Sequence, residues 1–243
     1  DQFDGQAARG EPDALTPDRF ADRFEQIYGR HDGFRRNHAK GLAAVGTFTG
    51  SGAAAEVSRA VVFRSAKVPV AARFSLSGGL PDQPDKADTV RGLGVLFRLP
   101  DGEQWRTAMV NLPVFPDRTP HGFYERLLAG RAAPKTGKPD PAAMAEFLAR
   151  HPETAAAMAV IKKSAPTAGF ADSTFRSLNA FRATDASGRT TPVRWAAIPV
   201  QPTGTQPGAG TDYLFDDLIA AVARGPVSWQ LVLTLAGAGD RTD

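Results

Sequence analysis

A chain of 243 residues with 42% hydrophobic and 23% charged residues has the composition of an ordinary globular domain, which points away from disorder and from a membrane span. Its 29 basic and 26 acidic residues leave a net charge of +3 with no Lys/Arg block, so nucleic acid is not an expected partner. The absence of cysteine removes disulfides, thiolate metal sites and thiol nucleophiles together.

Residues 1–15 are polar and broken by Gly and Pro, and predict a loose arm. "LTPDRFADRFEQIYG" then sets Thr16 as N-cap and Pro17 at the first helical position, with Phe20, Phe24 and Ile27 on one face and Gly29 as the stop. From Leu42 the period changes to two. "LAAVGTFTG", "VPVAARFSLSG", "RGLGVLFRLPDG" and "WRTAMVNLPVF" predict four strands, with Asp101-Gly102 as a hairpin turn between the last two. "PHGFYERLLAGR", "DPAAMAEFLARHP" and "PETAAAMAVIKK" predict three helices. Two strands around Ser187-Gly188, a helix in "DYLFDDLIAAVARG" and a last strand in "VSWQLVLTLAG" complete the chain, with "QPTGTQPGAGTD" as an internal loop. This order predicts one α+β domain over 1–243. Its antiparallel sheet is expected to close into a barrel of about eight strands, since so many short strands otherwise leave exposed edges, with helices inserted and packed outside.

Several nucleotide and metal motifs fail on inspection. "GLGVLF" lacks the third glycine and the following helix of a dinucleotide site, and "APKTGKPD" lacks the first glycine and the Ser/Thr of a P-loop. His31, His121 and His151 form no zinc-binding spacing.

The chemistry gathers around "RRNHAKG", where His38 stands between a basic cluster and the start of a strand. Arg73 and Ser75 share one face of the second strand, because side chains repeat every second residue. Asn111 lies in an otherwise apolar strand. A buried amide without partners costs about 1–3 kcal/mol, so Asn111 needs a ligand, a water or a polar neighbour.

"RNHAKG", "VPVAARFS", "ADTVRGLGVLF", "GEQW" and "NLPVF", followed by "TFRSLNAFRATDASGRTTPVRW", resemble in order and spacing the haem catalases, most closely the short catalase-related peroxidases. The resemblance covers nearly the whole chain from Thr16. It implies haem b as cofactor, with His38 as the distal histidine, Asn111 as the distal amide and Ser75 as the hydroxyl that holds the other imidazole nitrogen. Arg35 and Arg73 match the arginines that pair with haem propionates, and Phe115 matches an aromatic of the pocket, with a place in the core as the alternative.

The implied function is a haem peroxidase with some catalase activity, reducing hydrogen peroxide with small organic donors through a ferryl intermediate. In such a reaction a near-neutral imidazole moves a proton between the two peroxide oxygens, and an amide orients peroxide without titrating. Two alternatives stay open: a fatty-acid hydroperoxide isomerase or dehydratase like the allene oxide synthases, and a haem-binding barrel without turnover. The first is kept open by Asn37, which stands where large catalases carry valine and is expected to hydrogen-bond the imidazole.

The family's axial tyrosine follows an arginine by four residues. Tyr28, Tyr124 and Tyr213 lack that spacing, so no iron ligand is assigned in this chain, and the segment that carries it is expected in a longer protein. The chain starts at Asp1 rather than Met and no apolar segment follows a basic start, so any targeting peptide is expected to have been removed already. The resemblance implies a periplasmic or exported protein, with a cytoplasmic one as the alternative, and leaves room for a homodimer.

Overall fold

A computed structural model describes residues 15–132, 137–164, 167–204 and 208–240. The arm predicted over 1–15 therefore lies outside the described residues except for Leu15.

The chain opens with α1 (Pro17–Tyr28), where the Thr16 hydroxyl accepts the Arg19 N–H at 3.3 Å and Pro17 takes the first turn. Its apolar face carries Phe20 and Phe24, whose rings pack on Phe123 and Tyr124 at centroid distances of 5.4–6.2 Å. Strand β1 (Gly41–Phe48) follows, then a short 3₁₀ turn (Ala53–Glu56) and α2 (Val61–Arg64), which the sequence reading did not foresee. Next come β2 (Val68–Leu76), β3 (Arg91–Arg98) and β4 (Gln104–Val110), the last pair joined through Gly102 at φ 81°. The left-handed backbone there is one that glycine adopts without strain.

Helices α3 (Pro120–Ala129), α4 (Pro141–Arg150) and α5 (Pro152–Lys163) each carry proline in the first turn. Strands β5 (Phe175–Arg176), β6 (Phe181–Thr184) and β7 (Thr190–Pro199) precede α6 (Tyr213–Arg224) and β8 (Trp229–Leu235).

The eight strands form one antiparallel sheet. Its order runs β1-β2-β3-β4-β5-β7, with β6 also pairing β7 and β8 on that strand as well. Alternation sends Phe74, Leu93, Phe97, Met109, Trp195 and Trp229 to the inner face. The sheet coils on itself, as twisted strands do: Phe74 of β2 meets Trp229 of β8 at 5.5 Å between ring centroids.

The expected closed barrel is not what the ladder shows, since no pairing joins β1 to β8 among the described residues. Leu42 and Phe48 of β1 pack into the same core clusters as Leu231 and Leu233 of β8. Nor do all helices pack outside. α6 sends Tyr213, Leu214, Phe215 and Leu218 into the main core, and α2 sends Val62 and Phe63 into the second, each apolar side chain contributing about 1.5–3 kcal/mol by burial.

One polar contact ties the start of β1 to the start of α6. Lys40, with a side chain only 10% exposed, holds Asp85 and Asp212 at 2.6 Å each and the Gln83 carbonyl at 2.8 Å. The second oxygen of Asp85 accepts the Leu214 N–H at 2.8 Å. Burial pulls the Lys40 proton affinity down, but the hydrogen bonds and charges of Asp212 and Asp85 outweigh it, and the net shift is upward. Replacing Asp85 with Asn leaves a buried ammonium half-compensated, and should lower the stability to urea by about 3 kcal/mol. An unchanged unfolding midpoint would show that Asp212 alone suffices.

Candidate functional site

The outer face of the sheet carries the complementary set of alternating residues: Ala43 and Val45 on β1, Arg73 and Ser75 on β2, Gly92 and Gly94 on β3. It is poor in side-chain bulk and open, with Val45 91% exposed.

At one end of this face the ladder between β1 and β2 runs out. Gly41 pairs with Ser75, the Leu76 N–H reaches the Lys40 carbonyl at 3.1 Å, and the Ala39 N–H reaches the Gly78 carbonyl at 3.0 Å. One residue further back, His38 adopts φ 54°. Left-handed backbone at a non-glycine residue costs on the order of 1 kcal/mol or more, and persists only where the surroundings impose it.

The turn lays the imidazole across β3. His38 Nδ1 and Ser75 Oγ are 3.0 Å apart. A Cβ on Gly92 would stand 2.9 Å from Ser75 Oγ and 3.1 Å from both Cε1 and Nδ1 of His38. Only glycine therefore lets the ring lie where it does. Nε2, the other ring nitrogen, has no hydrogen-bond partner among the described residues.

Asn111 is the first residue beyond β4 rather than a strand residue. Its N–H donates to the Arg91 carbonyl at 3.0 Å, and its side-chain oxygen accepts the Arg91 N–H at 2.8 Å. With the oxygen so engaged, the amide NH₂ is the group left to donate. Val110 pairs with Gly92, so Asn111 lies opposite Arg91, one strand across and one residue along from the glycine under the imidazole. Arg91 itself is fully buried, and its guanidinium is held by Thr167, Gly169 and Ser173 at 2.8–3.0 Å.

Arg73 lies on the outer face two residues before Ser75, donates to the Ala39 carbonyl at 3.0 Å and crosses Gly41 so closely that a Cβ there would be 2.5 Å from its Cζ. Burial and the charge of Arg35 both lower its proton affinity, so the two guanidiniums share this corner. Among the described residues neither forms an ion pair with a carboxylate. The imidazole feels the same field: burial first, then Arg73 and Arg35, hold His38 below its ordinary 6.5.

The structure thus brings together His38, Ser75, Arg73 and Arg35, with Asn111 beside them. Phe115 is 51% exposed and has no aromatic ring contact among the described residues, so the core alternative for it is incorrect: the chain after Asn111 has left the sheet, and about half of the side chain stays open. Asn37 also departs from expectation. Its side-chain oxygen accepts the backbone N–H groups of His38 at 3.0 Å and Gly78 at 2.9 Å, not the imidazole. Gly92 was missed by sequence reasoning, although a glycine inside a strand is a signal of close approach. The three tyrosines are engaged elsewhere: Tyr28 stacks on Phe24, the Tyr124 hydroxyl accepts from Arg23, and Tyr213 is buried in the main core.

The catalase family model matches residues 25–237. A catalase-related peroxidase of Synechococcus elongatus is 37% identical over 234 residues, covering 94% of this chain and 69% of its own. One of Mycolicibacterium paratuberculosis is 32% identical, covering 94% and 74%. The chain belongs to the catalase family.

The catalase fold is seen directly in the superposition on a bacterial catalase with a TM-score of 0.74 at 21% identity, covering 94% of this chain and 46% of that one. Catalase A from Saccharomyces cerevisiae gives 0.73 at 21%, covering 95% and 50%. The chain spans about half the length of these solved catalases. The corner described above offers what the distal side of the family's cofactor needs: glycines on β3 under an imidazole whose Nε2 has no partner among the described residues, and two guanidiniums that form no ion pair among those residues.

In a pH titration of the His38 ring by NMR, the midpoint should fall below 6.5. Because the folded-state value is the depressed one, the stability contributed by the neutral ring is present above pH 6.5 and is lost as pH falls through the folded-state value. A midpoint above 6.5 would mean that burial and the arginines do not act on this ring.

Proposed function

We propose that the chain binds haem b against the outer sheet face and works as a catalase-related peroxidase, reducing hydrogen peroxide with small organic donors and, to a lesser extent, with a second peroxide. That it is an oxidoreductase acting on peroxide follows from the family. The observation that carries the finer reading is the imidazole of His38, fixed at Nδ1 by Ser75 and without a partner at Nε2 among the described residues, beside two arginines that form no ion pair among them.

Arg35 and Arg73 would hold the two propionates, since a guanidinium matches a carboxylate with two parallel N–H bonds. When bound, haem supplies the iron and the electrons that break the O–O bond, and the donor restores them. The chain's own residues manage protons. His38 Nε2 takes the proton from one peroxide oxygen and returns it to the other, so that water rather than hydroxide leaves. A ring held neutral by burial and neighbouring cations is ready to act as base at neutral pH. Ser75 selects the orientation in which Nε2 faces outward. With its own oxygen held by the Arg91 N–H, the Asn111 NH₂ is turned to donate to peroxide oxygen, and an amide does so without titrating. Each peroxide that is reduced takes up two electrons and two protons and becomes two waters, and a second peroxide that serves as donor gives up two of each and leaves as dioxygen.

No observation in the site favours the hydroperoxide isomerase, because Asn37, which suggested it, is engaged with backbone and not with the imidazole. Replacing His38 with Gln should slow peroxide consumption by the haem-loaded protein by roughly 10²–10⁴-fold at equal haem content. A rate equal to that of the unmutated protein would remove His38 from the mechanism.

A further inference from the structure

Between β1 and β2 the backbone ladder ends with the Ala39 N–H on the Gly78 carbonyl. Continuing the register of Gly41 with Ser75 would pair His38 with Gly78 and ask the His38 carbonyl to accept the Gly78 N–H, but at φ 54° the chain has turned away. The Asn37 side chain stands in for the missing peptide. Its oxygen lies 2.9 Å from the Gly78 nitrogen and 3.0 Å from the His38 nitrogen, one acceptor closing two donors. The first bond anchors the turn to the end of β2, and the second holds the His38 peptide in its left-handed position. From that position the ring reaches Gly92 and Ser75.

We propose that Asn37 is a positioning residue for His38: its carboxamide oxygen replaces a sheet peptide and so fixes the strained turn from which the imidazole lies over β3. The consequence for turnover rests on the reading of His38 as proton shuttle, whereas the positioning itself does not. In this chain a side chain without an acceptor takes away the partner that the His38 and Gly78 N–H groups share, and the turn relaxes out of the left-handed region. Aspartate keeps an oxygen at the same place and serves as the conservative replacement.

The test uses the isotopically labelled chain without cofactor. In the unmutated protein, a long-range HNCO experiment should correlate the Asn37 side-chain carbonyl carbon with the amide nitrogens of His38 and Gly78. Absence of both correlations overturns the proposal, and this arm does not depend on any variant folding. In Asn37→Asp the nuclear Overhauser contact between His38 Hε1 and the Gly92 α-protons should persist; in Asn37→Val it should vanish, while contacts between Trp195 and Thr107 in the core remain. Loaded with haem, Asn37→Val should turn over peroxide at least about tenfold more slowly, and Asn37→Asp within about threefold of the unmutated rate. An Asn37→Val protein that keeps the His38–Gly92 contact and its turnover contradicts the proposal. If the unmutated protein shows no turnover, the proposed function fails and the NMR arms still decide the role of Asn37.

Discussion

The site depends on one close approach: an imidazole lying within 3.1 Å of where a β-carbon on Gly92 would be. A sheet normally keeps its two faces apart from loops by the length of its side chains, and here that spacing is abolished. The approach requires glycine on β3, a left-handed residue at the head of β1, and a hydroxyl on the strand between them. Each condition is met by a different element, so register decides everything. A slip of one residue in β2 or β3 would send Ser75 or Gly92 to the core side of the sheet. The core holds that register through Phe74 and Leu93, their immediate neighbours on the opposite face.

Electrostatics follows from the same geometry. Arg73 crosses Gly41 to reach the Ala39 carbonyl, which brings a second guanidinium within range of Arg35 and sets both against the imidazole. Two like charges in a partly buried corner raise the free energy of the chain unless an anion joins them. The contrast with Lys40 is informative, because that ammonium is matched by two carboxylates and serves only to tie the fold. Arg91 offers a third case: a fully buried cation solvated by hydroxyls and carbonyls, fixing the backbone on which Asn111 rests.

Much of this was legible in the sequence. The capping pattern at Thr16-Pro17, the Asp101-Gly102 turn and the period-two runs located α1 and the first four strands, because local chemistry alone sets them. The shared strand face of Arg73 and Ser75 was legible from the period of two, whereas Arg35 entered only through the family resemblance. What stayed hidden was long-range. Gly92 looked like a failed nucleotide loop, because nothing local says that a histidine 54 residues earlier will lie on it. Asn37 looked like a partner for the ring next to it, whereas the backbone of residue 78 claims it. The barrel was expected from the count of short strands, but no ladder joins β1 to β8 among the described residues, and Leu42, Phe48, Leu231 and Leu233 share only the core clusters beneath them.

The most direct test of the account is to titrate the protein with ferric haem and with the same haem esterified at both propionates, following the Soret band. If the outer face and the Arg35–Arg73 corner receive the cofactor, haem should bind saturably and the diester at least about tenfold more weakly, since charge-assisted hydrogen bonds to two carboxylates are lost. Equal affinity for the two forms would contradict the assignment of this corner as the propionate end of a haem site.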